Sequence, residues 1–173
     1  MAMTEPSEHV DATLLRRTMA GFATGVAVVT TEDGGELHGM TVNSLTSVSL
    51  EPPLVLVCFT DDARTAAAAA RRGAFALHLL SRRQQALSDR FAGRGEDHFE
   101  GVDVALDEIG LPVLPGGLGR LTCRVETTYQ GGDHVIVVGR VVACEPRDGT
   151  PLLFYRGRYH DIHLGAGDTP WLW

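Results

Sequence analysis

The chain contains no lysine: the 15 basic residues among its 173 residues are all arginines. This absence excludes a Schiff-base lysine, a P-loop lysine and a serine–lysine hydrolase, because each of those mechanisms needs a lysine side chain. The 22 acidic residues outnumber the basic ones, which gives a net charge of −7, and no long basic run occurs. Because little in the sequence would neutralise a phosphate backbone, we expect no nucleic-acid partner.

Cysteine is scarce as well, with three widely spaced residues, Cys58, Cys123 and Cys144. No CxxC or HxxxH pattern accompanies them, so we predict neither a metal site nor a disulfide framework. Buried, reduced thiols are the favoured interpretation.

Signals for export or membrane insertion are also missing from the sequence. Residues 1–10 carry acidic residues and a proline, where a signal peptide has basic and then apolar residues. The longest apolar runs fall far below the ~20 residues that span a bilayer. We therefore expect no membrane association and a cytoplasmic location.

The composition is that of a folded globular protein, with 44% hydrophobic and 21% charged residues. A chain of 173 residues is long enough for one compact domain. We predict a flexible N-terminal tail over 1–10, a single domain over 11–165 and a C-terminal tail over 166–173.

Apolar periodicity predicts three helices. The first begins near Asp11, and the others cover 63–72 and 81–91. We interpret Asp61 and Asp62 as the N-cap of the second helix. The apolar face predicted for the first helix consists of Leu14, Leu15, Thr18, Met19 and Phe22.

Alternating or short apolar runs predict strands at 25–31, 36–42, 44–50, 54–59, 74–80, 118–129, 134–145 and around 155–159. There are too few strand–helix alternations for a parallel sheet, so the chain predicts a mainly β fold, an antiparallel barrel with helices packed outside. No GxGxxG follows a strand, and a nucleotide would therefore not bind through a Rossmann turn.

One segment, 39–53, is unusual because most of the residues in 41–49 carry a hydroxyl or an amide between two apolar strands. Short neutral donors and acceptors suit a ligand with ring heteroatoms and a polyol chain. A Ser/Thr-rich edge strand that faces water is the alternative interpretation.

This segment resembles the signature of the flavin reductase family, whose members share an FMN-binding split-barrel fold and supply reduced flavin to two-component monooxygenases. Three further runs resemble that family in the same order along the chain. They are Phe22-Ala23-Thr24-Gly25-Val26, Gly132-Asp133-His134 with the apolar run after it, and 151–159. Together these runs extend over roughly 12–163.

The resemblance implies a homodimer with FMN or FAD in a groove of the split barrel near the subunit interface. It implies that the isoalloxazine ring and ribityl chain are held by Thr41, Val42, Asn43 and Ser44, with Ser47 and Ser49 as weaker candidates. The flavin phosphate would meet the segment from Cys58 to Arg64 and Thr65, at a helix N-terminus that favours anions. Phe91 and Arg94 form a second candidate phosphate contact.

For the electron donor, the resemblance implies that His134 is the catalytic residue that meets the nicotinamide nucleotide or the flavin ring edge. Tyr155 and Arg156 would close over the site, with Arg156 on the NADH phosphates; ordinary barrel packing is the alternative for Tyr155. A lone histidine at the start of a strand is otherwise most often structural.

The implied reaction is hydride transfer from the nicotinamide C4 to the flavin N5, followed by release of reduced flavin to a separate monooxygenase. We expect NADH rather than NADPH, because no basic cluster is available for a 2′-phosphate, and an exchangeable flavin. Two alternatives are a split-barrel enzyme like those that oxidise pyridoxamine phosphate and a non-catalytic protein that binds flavin or haem.

Overall fold

The computed structural model describes residues 10–93 and 97–162. The predicted C-terminal tail, 166–173, and all of the predicted N-terminal tail except Val10 lie outside the described residues. In the described part the helices are α1 Ala12–Met19, α2 Arg64–Arg72 and α3 Gln85–Ala92, and a 3₁₀ turn, Arg82–Gln84, precedes α3. Within these ranges no helix is long and apolar enough to cross a membrane.

The strands of the described residues are β1 Thr24–Gly25, β2 Ala27–Asp33, β3 Glu36–Val42, β4 Thr46–Leu50, β5 Pro53–Thr60, β6 Ala74–Leu79, β7 Ala105–Leu106, β8 Pro112–Val113, β9 Gly119–Gly131, β10 His134–Pro146, β11 Leu153–Tyr155 and β12 Arg158–His160. Seven of them form one sheet in the order β3-β2-β6-β9-β10-β5-β4. Every neighbouring pair in this sheet is antiparallel.

The seven-stranded sheet must be rolled up, because its two edge strands follow each other in the sequence. Only 43–45 separate the end of β3 from the start of β4. Six strand spacings would place the edges of a flat sheet about 29 Å apart, whereas a four-bond Cα link reaches at most about 14 Å. The chain is therefore an open, antiparallel barrel, which confirms the predicted fold class.

Strand β2 explains why the apolar residues at 26–29 follow one another without a polar residue between them. Val28 and Val29 are both fully buried, and consecutive strand residues face opposite sides of a sheet. Val29 belongs to a first core that also contains Phe75 and the α2 alanines Ala66 and Ala69. Val28 belongs to a second core, which also contains Phe91 of α3. Strand β2 is thus covered on both faces.

A buried polar network fixes the segment that carries β7 and β8 against the large sheet. His78 on β6 is buried, and its Nε2 lies 3.0 Å from Thr30 Oγ1 and 3.2 Å from the Pro112 carbonyl oxygen. One Asp107 carboxylate oxygen accepts the backbone N–H groups of Ile109 at 3.0 Å and Leu111 at 2.9 Å. Burial lowers the pKa of His78 to about 4, so the imidazole is neutral at pH 7.

Several predicted elements are corrected by this structure. The N-cap of α2 is Ala63 and carries no side-chain cap, whereas Asp61 accepts a hydrogen bond from Gln130 at 2.8 Å. The N-capping interpretation of Asp61 and Asp62 was therefore wrong. The predicted helix over 81–91 is a 3₁₀ turn followed by α3, with Ser81 and Gln84 closing a capping box.

Pairing between strands corrects the C-terminal prediction. The strand expected around 155–159 is a hairpin of β11 and β12, which joins β1 in a small three-stranded sheet. Arg156 and Gly157 form its turn with φ of 49° and 76°. Two elements, β7 and β8, were not predicted, because strands of two residues show no periodicity.

Helix α1 forms as predicted, with the Asp11 carboxylate accepting the N–H groups of Thr13 and Leu14. Its apolar side chains, however, are largely exposed in the part of the chain that the structure describes. Leu15 and Met19 are 53% and 56% exposed, and Phe22, just beyond the helix, is 69% exposed. No residue of α1 is buried.

Candidate functional site

A cleft of ≈ 840 Å³ opens where β3, the start of α2 and the end of α3 meet. Its walls are formed by 35–40, by Thr60 and 62–65, and by 91–93 and 97–99. The cleft therefore follows the free edge of the seven-stranded sheet, of which β3 is the first strand.

The free edge of β3 presents backbone groups to this cleft. His98 Nδ1 lies 3.3 Å from the Gly39 carbonyl oxygen, on the side of β3 away from β2. In an antiparallel strand the N–H and C=O of one residue point to the same side, and the side alternates along the strand. Leu37 and Thr41 therefore direct their backbone donors and acceptors to the same edge as Gly39.

Gly39 allows the aromatic wall of the cleft to lie against β3. A Cβ at Gly39 would lie 2.4 Å from Phe91 Cε1 and 3.1 Å from Phe99 Cζ. The rings of Phe91 and Phe99 meet edge to face with centroids 5.0 Å apart, and Phe91 is buried. Glycine at position 39 is required here by space rather than by backbone conformation.

His98 completes that wall and carries an unsatisfied nitrogen. Its ring centroid lies 5.6 Å from that of Phe91. A carbonyl oxygen only accepts, so the contact with Gly39 requires the hydrogen on Nδ1. His98 Nε2 is buried and has no hydrogen-bond partner among the described residues.

The start of α2 lies at one end of the cleft. Arg64 is exposed and Thr65 is buried, and both line the cleft; their contact with a phosphate stays a prediction. The first N–H groups of a helix have no partner within the helix and favour anions. Because Ala63 provides no side-chain cap, no capping side chain competes for these N–H groups.

The segment predicted to hold the flavin ring continues β3 beyond the cleft walls. Thr41 Oγ1 donates to the Ser88 carbonyl oxygen at 2.7 Å, so this hydroxyl holds α3 against β3. Val42 is buried in the first core, and the Asn43 side chain is exposed just after the strand. The backbone edge of Thr41 and the Asn43 amide are the groups here that could reach a ligand.

The hydroxyl of Ser44 is used within the chain. It donates to the Cys58 carbonyl oxygen at 2.8 Å and accepts the Cys58 N–H at 3.1 Å. Ser47 and Ser49 lie on β4, the opposite edge strand of the sheet, where Ser47 is exposed. Neither Cys58 nor any of these three serines belongs to the cleft walls described above.

His134 lies beside the cleft rather than in it. It pairs with Thr60, a cleft residue, in the β10–β5 ladder. Its Nδ1 is 2.7 Å from Asp133 Oδ1, and this hydrogen bond lowers the pKa of the Asp133 carboxyl. Because Nδ1 is engaged, Nε2 is the ring nitrogen that remains for a ligand. Gln130 links the same turn to Asp61.

Tyr155 and Arg156 lie in the β11–β12 hairpin, and neither lines the cleft. The guanidinium carbon of Arg156 is 5.2 Å from the centre of the Tyr155 ring. The Arg156 N–H donates to the Ala20 carbonyl oxygen at 3.0 Å, which ties the hairpin to the end of α1.

Of the predicted site residues, the structure brings Arg64, Thr65 and Phe91 together in the cleft. Arg94 lies outside the described residues. Sequence reasoning missed two residues of the aromatic wall, His98 and Phe99. Their loop shows no periodicity, and only their proximity to Phe91 in the chain could have pointed to them.

The charge of the cleft walls is mostly negative among the described residues. Glu36, Asp62 and Asp97 line it together with one arginine, Arg64. No group of three or more His, Cys, Asp or Glu residues placed for a metal occurs in 10–93 or 97–162. The site is therefore equipped to bind through backbone groups, aromatic rings and one helix N-terminus.

Comparison with known proteins identifies the family. The model of the flavin reductase like domain matches residues 19–163. The reductase subunit HsaB of a flavin-dependent monooxygenase from Rhodococcus jostii (strain RHA1) is 41% identical over 157 residues, which cover 90% of this chain and 80% of that protein. An NADH-dependent flavin reductase from Rhodococcus sp is 38% identical over 176 residues, with 98% and 99% covered.

Solved structures agree with this match. The crystal structure of a nitrilotriacetate monooxygenase component B homologue from Mycobacterium thermoresistibile superposes with a TM-score of 0.87 at 37% identity. The match covers 93% of this chain and 91% of that one. Motifs, fold and comparisons lead to one conclusion: the chain belongs to the flavin reductase family.

Proposed function

We propose that this protein oxidises NADH, passes the hydride to FMN or FAD, and releases the reduced flavin to a separate flavin-dependent monooxygenase. One observation carries the proposal: this chain belongs to the flavin reductase family and has a cleft in which a free strand edge and a helix N-terminus meet. The first feature suits the polar edge of a flavin ring, and the second suits its phosphate.

Hydride transfer from the nicotinamide C4 to the flavin N5 is chemistry that the two nucleotides supply, so the protein needs no general base. The contribution of the chain is to bind and orient them. Arg64 and the first N–H groups of α2 hold the flavin phosphate. The edge of β3 and the Asn43 amide offer neutral hydrogen bonds to the ring system.

His134 orients the electron donor in this proposal. Its hydrogen bond to Asp133 fixes the ring, and its pairing with Thr60 places it next to the cleft. The exposed position of the Gly132–Asp133 turn leaves room for a second nucleotide. Arg156 remains the predicted contact for the NADH phosphates.

We propose NADH rather than NADPH as the donor, because the sequence offers no basic cluster for a 2′-phosphate. Use of NADH and three free cysteines are in keeping with the predicted cytoplasmic location.

We infer that the protein is a homodimer, as predicted. Leu15, Met19 and Phe22 are each more than half exposed on α1 and the turn after it. A second copy would remove this apolar surface from water, at about 25 cal/mol per Å² buried. Light scattering at micromolar concentration tests the inference, and a monomeric mass would contradict it.

The decisive experiment is a steady-state assay of NADH consumption with and without added flavin. We expect oxidation of NADH only when FMN or FAD is present. Consumption without flavin, or none with either flavin, would contradict the function. Oxidation of pyridoxamine phosphate or tight binding of flavin without turnover would favour the two alternatives instead.

A further inference from the structure

Ser88, in the middle of α3, is fully buried and bonds to two other elements of the fold. Its hydroxyl lies 2.8 Å from the Tyr159 hydroxyl on β12, and its carbonyl oxygen accepts the Thr41 hydroxyl of β3 at 2.7 Å. Buried polar groups are normally hydrogen-bonded, and within the described residues Tyr159 is the partner of the Ser88 hydroxyl. A continuous chain of hydrogen bonds therefore runs from the β11–β12 hairpin through α3 to β3.

Strand β3 depends on α3 because it is an edge strand. Among the described strands its neighbour in the sheet is β2 alone, so its other edge has no strand to hold it. The Thr41–Ser88 hydrogen bond attaches β3 to α3 where the segment 41–44 begins. Two residues earlier, the Phe91 ring of α3 lies against Gly39. The position of α3 therefore fixes the position of the segment proposed to hold the flavin ring.

Tyr159 is itself firmly placed. Its ring meets that of Phe154 edge to face with centroids 5.4 Å apart, and both rings pack against the second core. The hairpin that carries these two residues is joined to β1. Burial raises the pKa of the Tyr159 phenol, so the hydroxyl keeps its proton at neutral pH. A hydroxyl held by packing in this way can fix the position of Ser88.

We propose that Tyr159 is a positioning residue for flavin binding: its hydroxyl holds Ser88, and Ser88 holds the Thr41 end of the ring segment. Neither Tyr159 nor Ser88 lines the cleft, so the effect passes through α3 and not through contact with the flavin. The inference rests on the proposed function and adds to it a residue outside the cleft. A role in packing alone would give Tyr159 the same burial but no influence on flavin affinity.

The test removes single hydroxyl groups and leaves the shapes of the side chains almost unchanged. Tyr159→Phe removes the phenol oxygen. Ser88→Ala removes its partner but keeps the carbonyl oxygen that accepts from Thr41, and it also covers the case in which Tyr159→Phe fails to fold. Tyr129→Phe is the matched control, because Tyr129 is 57% exposed on β9 and lies outside the cleft walls.

Four quantities are measured for each variant and for the Tyr159→Phe/Ser88→Ala double variant. They are the dissociation constant of oxidised FMN by calorimetry, the KM for FMN, the KM for NADH with kcat at saturating FMN, and the melting temperature. Calorimetry reports flavin binding without turnover, and the melting temperature reports packing.

We expect Tyr159→Phe and Ser88→Ala each to weaken FMN binding about fivefold and to raise the KM for FMN by the same factor, the usual effect of losing one hydrogen bond. The kcat at saturating FMN and the KM for NADH should stay within about twofold of wild type. The double variant should bind FMN no more weakly than either single variant, because both changes break the same bond. Tyr129→Phe should match wild type.

Unchanged FMN affinity in either single variant, with a lower melting temperature, would overturn the inference and make Tyr159 a packing residue. Losses that multiply in the double variant would also overturn it, because the two hydroxyls would then act independently. Wild-type protein that binds FMN but does not oxidise NADH would overturn the proposed function alone. The FMN dissociation constants of the variants would still decide whether Tyr159 positions the ring segment.

Discussion

Two histidines of this protein each face a backbone carbonyl, and their surroundings differ. His78 is buried between β6 and the segment that carries β8, and its Nε2 meets both Thr30 Oγ1 and the Pro112 carbonyl. His98 is half-buried in the wall of the cleft, where one nitrogen faces Gly39 and the other has no partner among the described residues.

The difference separates a structural region from a binding region. Around His78 the buried polar groups meet one another, which is the usual state of a protein interior. Around His98 and the β3 edge, donors and acceptors are held in place by glycine and aromatic packing but are left for something else to meet. Unsatisfied polar groups at a cleft, rather than polar residues as such, mark the site.

The largest expected effect concerns His78 in the structural region, and it is a loss of stability at acidic pH. Burial lowers the pKa of His78 from 6.5 to about 4, so between these pH values the unfolded chain binds a proton that the folded chain does not. The contribution of His78 to the free energy of unfolding should be fully present above pH 6.5. It should fall by about 3 kcal/mol as the pH drops to 4.

Urea unfolding of wild type and His78→Gln at several pH values checks this expectation. The charged groups that act on His78 are Arg120, Arg147 and Asp107, and all remain in the variant. The difference between the two unfolding curves should therefore isolate His78. Parallel pH profiles for the two proteins would show that His78 is not the buried neutral group described here.

A methyl group at Gly39 tests how tightly the cleft wall is built. Gly39→Ala places a Cβ 2.4 Å from the buried Phe91 ring, and overpacking of this kind should lower the free energy of unfolding by about 2 kcal/mol. Gly25→Ala is the control, because nothing lies within 4 Å of its added Cβ. Equal stability of the two variants in urea would mean that the wall is looser than the structure shows.

Arg64→Ala tests the anion-binding end of the cleft. Loss of a charge-assisted hydrogen bond at an exposed position should weaken FMN binding by about tenfold, or ~1.5 kcal/mol. Riboflavin, which lacks the phosphate, should bind both proteins equally. Arg124→Ala, an exposed arginine on β9 outside the cleft, serves as the control. A matching loss of riboflavin affinity would remove Arg64 from the phosphate site.

The smallest expected effect concerns His134, which lies at the border of the two regions. His134→Ala should raise the KM for NADH about fivefold, the value of one hydrogen bond of ~1 kcal/mol. Flavin affinity should remain largely intact, and kcat should not fall by the orders of magnitude typical of an essential acid or base. A lower melting temperature with unchanged kinetic constants would instead make His134 structural.

Much of the fold was predictable from local pattern. The long strands β9 and β10 and the buried strands β2 and β5 carry apolar runs that stand out in the sequence. Motifs in family order then supplied the topology, which periodicity alone could not. The apolar side of α1 was predictable, but its exposure was not, because burial depends on partners distant in the chain.

The site was also predictable only in part, because some of its features depend on residues that are distant in the chain. Arg64 and Thr65 follow a strand and begin a helix, so their position at a helix N-terminus can be inferred locally. The hydroxyls of Thr41 and Ser44 looked available for a ligand, yet they bond to Ser88 and Cys58. Such pairings join residues 14 or 47 positions apart, and no local pattern reveals them.

Strand β4 has a consequence for the behaviour of the protein at high concentration. It forms an open edge of the sheet, and an open edge can pair with another chain and start aggregation. The sequence lacks the lysines that often protect such edges. Here β4 is only five residues long, its register shifts between Ser47 and Ser49, and Pro53 begins the strand beside it. Shortness, irregularity and proline take over the protective role that positive charge plays elsewhere.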